Sequence, residues 1–295
     1  MKPEVDNVVI VGLGLIGGSV GIEIKQSQFA KTVVGVDENK SHQDQALSLN
    51  LVDSVENLDS ALKKADLVIL TIPVTAIHQL LPRVLDLVSP TATVTDMGSS
   101  KKLIADSVKS HGKRKQLVLS HPMAGTENSG PTAAQKGLFQ NKTAVICDAE
   151  STAAPHLQKV NQLYQVLGMR VINMTSQEHD MHAAFVSHLS HISSFVLANT
   201  VLDIEKNVAS IFDMAGGGFE STVRLAKSSP EMWLPIFEQN QENITKALSA
   251  YIRHLQVFQD SLIQKRWDET RSLLEKANGI RRVLKDLTTK GAGAK

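Results

Sequence analysis

The sequence predicts an α/β fold, a Rossmann-type dinucleotide-binding domain followed by an all-helical dimerisation domain, on three observations. Short apolar runs alternate with helical segments up to about residue 174, a glycine loop joins the first run to a helix, and strand-like runs stop after residue 175. The candidate strands are Val8–Val11, Thr32–Val36, Leu67–Ile72, Ala92–Asp96, Gln116–Ser120, Thr143–Ile146 and Arg170–Ile172. They are near-continuous in apolar character rather than alternating, as strands buried on both faces of a mainly parallel sheet should be. Helices such as Asp59–Ala65, Thr75–Val88 and Thr152–Leu167 fall between them, the pattern of a doubly wound sheet. In the second half, 240–264 places Ile244, Leu248, Ile252, Leu255, Phe258 and Leu262 on one helical face, and 268–287 does the same with Leu273, Ala277, Ile280, Leu284 and Leu287. The expected division is therefore 1–174 for dinucleotide binding and 175–295 for a helical dimerisation and substrate domain.

The glycine loop is the most informative local feature. Val8–Val11 runs into Gly12, Gly14 and Gly17 at GxGxxG spacing, Gly18 follows, and an apolar face continues through Val20, Ile22 and Ile24. Backbone N–H groups at such a helix start bind a pyrophosphate, and glycine lets the phosphates come close. The plain alternative is a tight strand-to-helix turn. The second apolar run ends on Asp37, about 20 residues beyond the loop, where a carboxylate meets a ribose 2′-hydroxyl and repels a 2′-phosphate. That favours NAD over NADP, with Lys40 the one nearby cation pulling the other way. Gly12, Gly14, Leu15, Ile16, Gly17 and Asp37 are the candidate cofactor contacts, joined by Thr71 and Pro73 where the Leu67 run stops at the carboxyl edge of the sheet.

Bulk properties narrow the class. The 295 residues allow two domains, and a net charge of +1 suggests neither a nucleic-acid groove nor an acidic-surface partner. A single cysteine, Cys147, excludes an intramolecular disulfide and reads as a buried thiol in a reducing compartment. Met1–Asn7 is polar and the next apolar run is broken by glycines, so no signal peptide is read; no uninterrupted apolar stretch reaches the ~20 residues of a membrane span. The expectation is a soluble, cytoplasmic protein with no membrane partner. Long apolar helix faces suggest a homodimer, and the GAGAK tail reads as disordered.

Four further clusters could carry chemistry. In TDMGSSKK, Ser99 stands past a strand end, either as a hydroxyl beside the nicotinamide or as a helix cap. In SHPMAGTENSG, His121 at a sheet edge titrates near neutrality and could take a hydroxyl proton as hydride leaves the same carbon. His179, His182, His188 and His191 form two His-x-x-His pairs. No cysteine is near and the carboxylates lack a zinc spacing, so no metal is expected and a polar pocket is the preferred reading. Arg224, after the bend at Gly216–Gly218, could grip a carboxylate or be solvated, and Trp233 reads as packing.

GLGLIGGS at 12–19, DMGSSK at 96–101, SHPMAGTENSG at 120–130, VSHLSH at 186–191 and GGGFESTVRLAKSSPEMW at 216–233 together resemble the prephenate/arogenate dehydrogenase family of tyrosine biosynthesis, in the family's order over about residues 7–285. The resemblance implies a monofunctional NAD-dependent enzyme that oxidatively decarboxylates prephenate to 4-hydroxyphenylpyruvate, or arogenate to tyrosine. It implies that His121 is the catalytic base, that Ser99 holds the reacting hydroxyl and orients the histidine, and that Arg224 binds a substrate carboxylate. His179, Asp180, Ser187, His188 and His191 then line the pocket, with Thr126 and Glu127 nearby. Ser100 stands where relatives often carry valine, a departure expected to change nothing essential. Two other readings fit the two-part plan. One is a β-hydroxyacid dehydrogenase, whose helical-domain lysine is replaced here by VSHLSH; the other is a non-catalytic dinucleotide sensor, which has no use for His121, Ser99 and Arg224 together.

Overall fold

The structure is a computed structural model that describes residues 4–206 and 209–284; Leu287 and the GAGAK tail lie outside the described residues. Eight strands, β1 (Val5–Val11), β2 (Ala30–Val36), β3 (Ser54–Val55), β4 (Leu67–Leu70), β5 (Thr93–Asp96), β6 (Leu117–Pro122), β7 (Thr143–Cys147) and β8 (Arg170–Met174), form one sheet in the order β3-β2-β1-β4-β5-β6-β7-β8. All pairings from β3 to β6 are parallel, β7 runs antiparallel to β6, and β8 is parallel to β7. The seven expected strands are present, and the two-residue β3 is the addition. It is too short for its burial pattern to show a period.

The apolar runs are explained by what covers the sheet. Along β1, Val8 and Ile10 face one core while Val9 and Val11 face the other, and Leu67, Ile69, Val68 and Leu70 of β4 divide the same way. The first core is closed by α1 (Leu15–Ser27), α2 (Lys40–Ser48) and α6 (Ala154–Val166). The second is closed by α3 (Leu58–Lys64), α4 (Val74–Leu87) and α5 (Lys102–Ser107). Each fully buried valine or isoleucine in these strands contributes about 1.5–3 kcal/mol, so a polar residue at either face would be costly. Cys147 is buried in β7, and burial pushes its thiol pKa up, which makes it unreactive.

Topology places the site. The chain leaves β1 for β2 and β3 on one side and returns as β4 on the other, so the order reverses between β1 and β4. A crevice opens outside the carboxyl ends of strands at such a switch point. The turns after β1, β4 and β5 and the end of β6 carry Gly12, Thr71, Ser99 and His121 to that edge. His121 lies inside β6, paired with Val145, rather than beyond the strand end.

After β8, a capping box between Thr175 and Glu178 starts α7 (Ser176–Ala183), which continues through a π-helical turn, Ala184–His188, into α8 (Leu189–Glu205). The run Ser176–Glu205 is long and apolar enough by length and composition to cross a membrane, although Asp180 and four histidines stand within it. Short α9 (Gly217–Val223) and α10 (Pro230–Gln239) follow, and α10 buries Trp233 and Ile236 in the second core beside α4. By packing, the chain divides after Asn240, whereas strands end at Met174. The unit beyond Asn240 is a hairpin of α11 (Gln241–Ile263) and α12 (Trp267–Asn278). It turns at Lys265, whose φ is 54°, and is tied by a 3.0 Å hydrogen bond from Thr270 Oγ1 to Ser261 Oγ.

Candidate active site

The glycine loop has the shape a dinucleotide requires. Gly12 has φ +96°, and a Cβ there would meet Ile72 Cγ2 at 2.8 Å; a Cβ on Gly17 would meet Gly12 O at 2.0 Å. Gly12 is thus closed to a side chain by the turn after β4, and Gly17 by the loop's own carbonyl. Gly14, the N-cap of α1, has open space where its Cβ would be, no side-chain cap, and no acidic residue in the following turn. The first N–H groups of α1 therefore have room and the right polarity for an anion. These residues fit a dinucleotide pyrophosphate. Leu15 and Ile16 turn apolar side chains toward the core, leaving their backbone for a ligand. Asp37 accepts from Leu13 N and from Asn39 N, both at 2.8 Å, so it also braces the loop. Thr71 Oγ1 donates to Gly12 O (2.7 Å), a support beneath the loop, and exposed Pro73 caps α4. Lys40 is exposed and pairs with Asp44.

On the substrate side, histidines 58 residues apart meet. His121 Nδ1 lies 2.8 Å from His179 Nε2, and His179 Nδ1 lies 2.8 Å from Asp180 Oδ1. Asp180 is held in turn by the backbone N–H groups of Lys101 (2.8 Å to Oδ1) and Lys102 (2.9 Å to Oδ2). Proton positions follow from the end of this line. A carboxylate only accepts, so His179 carries its proton on Nδ1 and its Nε2 accepts from His121 Nδ1–H; the far nitrogen of His121, Nε2, is left with a lone pair. Burial, then the neighbouring His179, Lys101 and His188, hold the His121 pKa well below the ordinary value, so the ring is neutral. His179 spends both ring nitrogens on these bonds. Together with Asp180 it stands behind His121 rather than on the pocket wall expected from the sequence.

A buried ion pair fixes the same corner. Lys101 Nζ bonds Asp96 Oδ2 and donates to Ser120 O at 2.8 Å, while Asp96 also accepts from Gly98 N (3.1 Å) and Ser120 N (3.3 Å). Losing one partner of so buried a pair costs about 3–5 kcal/mol. Neither residue was a candidate from the sequence, although both lie in the DMGSSK stretch that carried the resemblance. Ser99, between them, is half-buried.

The remaining candidates form the outer part of the site. His188 is buried and pushed down to about 4, chiefly by burial. His191 stacks on Trp233 with ring centroids 3.7 Å apart, and its Nδ1 donates to Ser187 O at 3.0 Å, which leaves Nε2 as an acceptor. Burial also lowers the His191 pKa. Ser187 is half-buried, and its backbone carbonyl makes this bond. Arg224 follows α9 and donates from Nη1 to Glu127 Oε2 at 2.6 Å, which joins the GGGF segment to the loop after His121. Thr126 Oγ1 accepts from Asn128 N within that loop. Two further groups were missed by sequence reasoning. Ser100 donates to Gln239 Oε1 at 2.6 Å, so the serine that was expected to change nothing has a partner, and Asn240 donates to Asp180 O at 2.7 Å.

Comparison with known proteins identifies the family. The family model described as prephenate dehydrogenase, nucleotide-binding domain, matches residues 20–173, and that described as prephenate dehydrogenase, dimerization domain, matches 175–276. The prephenate dehydrogenase of Bacillus subtilis (strain 168) is 30% identical over 258 residues, 86% of this chain and 70% of that protein. The crystal structure of A. aeolicus prephenate dehydrogenase in complex with hydroxyphenyl propionate and NAD+ has a TM-score of 0.86 at 30% identity, covering 95% of this chain and 98% of that one. That of Synechocystis arogenate dehydrogenase has a TM-score of 0.75 at 28% identity, covering 94% and 99%. The matched segments span both halves of the sequence, and the chain belongs to the prephenate dehydrogenase family.

Proposed function

We propose that this protein oxidises prephenate to 4-hydroxyphenylpyruvate and CO2 with NAD, and that His121 is its general base. The observation that carries the reading is the hydrogen-bonded line Asp180–His179–His121, which leaves a lone pair on His121 Nε2 in a neutral ring. NAD bound at the glycine loop supplies the hydride acceptor. His121 Nε2 takes the proton from the ring hydroxyl as that carbon is oxidised, and the Asp180 carboxylate stabilises the imidazolium through His179. Ser99 holds the hydroxyl toward His121. Loss of the ring carboxylate as CO2 returns an electron pair to the ring oxygen, and His121 gives the same proton back as the phenol forms. No net proton is released. Arg224 binds a carboxylate of the dianionic substrate, with His191 Nε2 and Ser187 on the pocket side.

The functional boundary in this reading falls at residue 174, with cofactor binding before it and substrate and dimer contacts after it. A homodimer is supported by the matched dimerisation domain and by Ile252, Leu255 and Leu262 of α11, which are 44%, 52% and 44% exposed in the single chain. Burying such residues against a second copy also accounts for the apolar face of the Ser176–Glu205 run without a membrane. A cytoplasmic location follows from the soluble substrate and cofactor.

The test is the initial rate of NADH formation with prephenate and arogenate offered separately and NADP in place of NAD. Turnover on prephenate with NAD is expected, and turnover on arogenate alone would replace the substrate while keeping the base. His121→Asn should lower kcat by about 10²–10⁴-fold with NAD affinity unchanged. Full activity in that variant would refute the mechanism.

A further inference from the structure

We infer that Gln239 and Asn240, the last turn of α10, are positioning residues that hold the Ser99 backbone and the Asp180–His179–His121 line in register. The inference rests on the reading that Ser99 and His121 act in turnover. Neither residue belongs to a motif that carried the family resemblance, which ends at Trp233.

The contacts come from two directions. Gln239 Oε1 accepts from Ser100 Oγ at 2.6 Å and so grips the residue next to Ser99. Asn240 Nδ2 donates to Asp180 O at 2.7 Å and lies 3.3 Å from His188 Nδ1. An amide nitrogen only donates, so His188 Nδ1 is the acceptor and the ring proton sits on Nε2. With its ring neutral, His188 keeps that one N–H buried and without a hydrogen-bond partner among the described residues, so the hold on Ser99 runs through its neighbour Ser100. Ser100, held by Gln239, fixes the stretch of chain from which the Ser99 hydroxyl projects. The same Asn240 amide holds the backbone of Asp180, whose side chain sets the tautomers of His179 and His121. One turn of helix thus touches both arms of the proton-handling group without touching the reacting atoms.

The turn is suited to this. Trp233 and Ile236 bury one face of α10 in the second core, which leaves its end a rigid pointer. Asn240 has left helical geometry, with φ −116° and ψ 24°, and its N–H still bonds Ile236 O at 3.1 Å. Asn240 is buried, Gln239 half-buried and Ser100 buried.

The experiment uses the full-length enzyme and two readouts. In steady-state kinetics with prephenate and NAD, Gln239→Leu, Ser100→Val and Asn240→Asp should each lower kcat by about 10–100-fold, the scale of a misplacement near 1 Å, with KM within about threefold. Gln239→Glu keeps the acceptor and should recover most of the loss. The Ser100→Val/Gln239→Leu double variant should be no worse than either single one, because both remove one bond. In ¹⁵N spectra of histidine-labelled protein, His188 should be protonated on Nε2 in the wild type and on Nδ1 in Asn240→Asp, where a carboxylate now accepts. Unchanged kcat with lowered Tm would reduce the turn to packing and overturn the inference, as would multiplicative losses in the double variant. A wild-type His188 protonated on Nδ1 would overturn it whatever the substrate proves to be. Absence of wild-type turnover on prephenate, with the Nε2 tautomer present, would instead strike the proposed function alone.

Discussion

Replacing Asp180 by Asn changes one oxygen to an amide nitrogen and should disable the base without moving it. Both carboxylate oxygens are in use: Oδ1 accepts from His179 Nδ1 and Lys101 N, and Oδ2 from Lys102 N. Whichever way the new amide turns, its NH2 confronts one backbone N–H, at a cost of about 1–3 kcal/mol in stability. In one orientation His179 keeps its tautomer. In the other the NH2 faces His179, which must present a bare Nδ1, put its proton on Nε2, and force His121 to carry its own proton on the outer nitrogen. That population cannot accept a hydroxyl proton. The larger effect is the lost charge. Two 2.8 Å bonds and the width of the His179 ring separate the carboxylate from the near edge of the His121 ring, over which the imidazolium charge is spread. At about 8 Å and an effective dielectric near 20 the attraction is about 2 kcal/mol, roughly 30-fold in rate. With the tautomer effect added, kcat should fall by about 30–100-fold, with KM for prephenate and the NAD dissociation constant within about threefold. The assay is initial-rate NADH formation at saturating NAD, below the melting temperature of the variant. A kcat within threefold of wild type would refute the claim that the line carries charge and tautomer to His121.

Two further outcomes follow from the same geometry. Arg224→Ala removes a charge-assisted contact made to bound substrate before and during reaction, so KM for prephenate should rise about 10–100-fold while kcat changes little; a fall in kcat at unchanged KM would contradict that role. Stability should decline in acid through His188, which burial lowers from 6.5 to about 4. Its contribution is fully present above pH 6.5, where folded and unfolded rings are both neutral, and is lost as the pH falls toward and through 4, because the unfolded chain takes up the proton first. The difference amounts to about 3 kcal/mol and His121 adds to it in the same direction. Denaturant titrations at pH 7 and pH 4.5 should show a smaller acid loss in His188→Gln than in wild type, and equal losses would refute the assignment.

Much of the fold was legible because burial on two faces leaves a plain trace. Val8–Val11 and Leu67–Leu70 could not be half-exposed strands, since consecutive residues serve opposite cores. The Gly12 and Gly17 positions were legible for a similar reason, as each is closed to a Cβ by neighbouring backbone. His121 stood out by chemistry and place. The relay behind it was not legible, because nothing local distinguishes a histidine that lines a pocket from one that orients another histidine 58 residues away. His179 and Asp180 were thus read as pocket residues. Ser100 illustrates the same limit: its meaning lies in Gln239, 139 residues on, at a helix end with no periodic signal of its own. The two-residue β3 is defined only by its pairing with β2.

The placement of His121 within β6, paired with Val145 across the ladder, bears on how the enzyme comes apart. Most catalytic bases sit on loops, which open locally at little free-energy cost. Here the base belongs to the central sheet, so its amide should exchange with solvent deuterium only as fast as the whole sheet unfolds. The Thr126–Gly130 segment and the start of α9 at Gly216–Gly218, both outside the ladder, should exchange far sooner. Partial unfolding would strip away the substrate-binding rim while the proton acceptor stayed formed, and on warming the enzyme should lose affinity for substrate before it loses its chemistry.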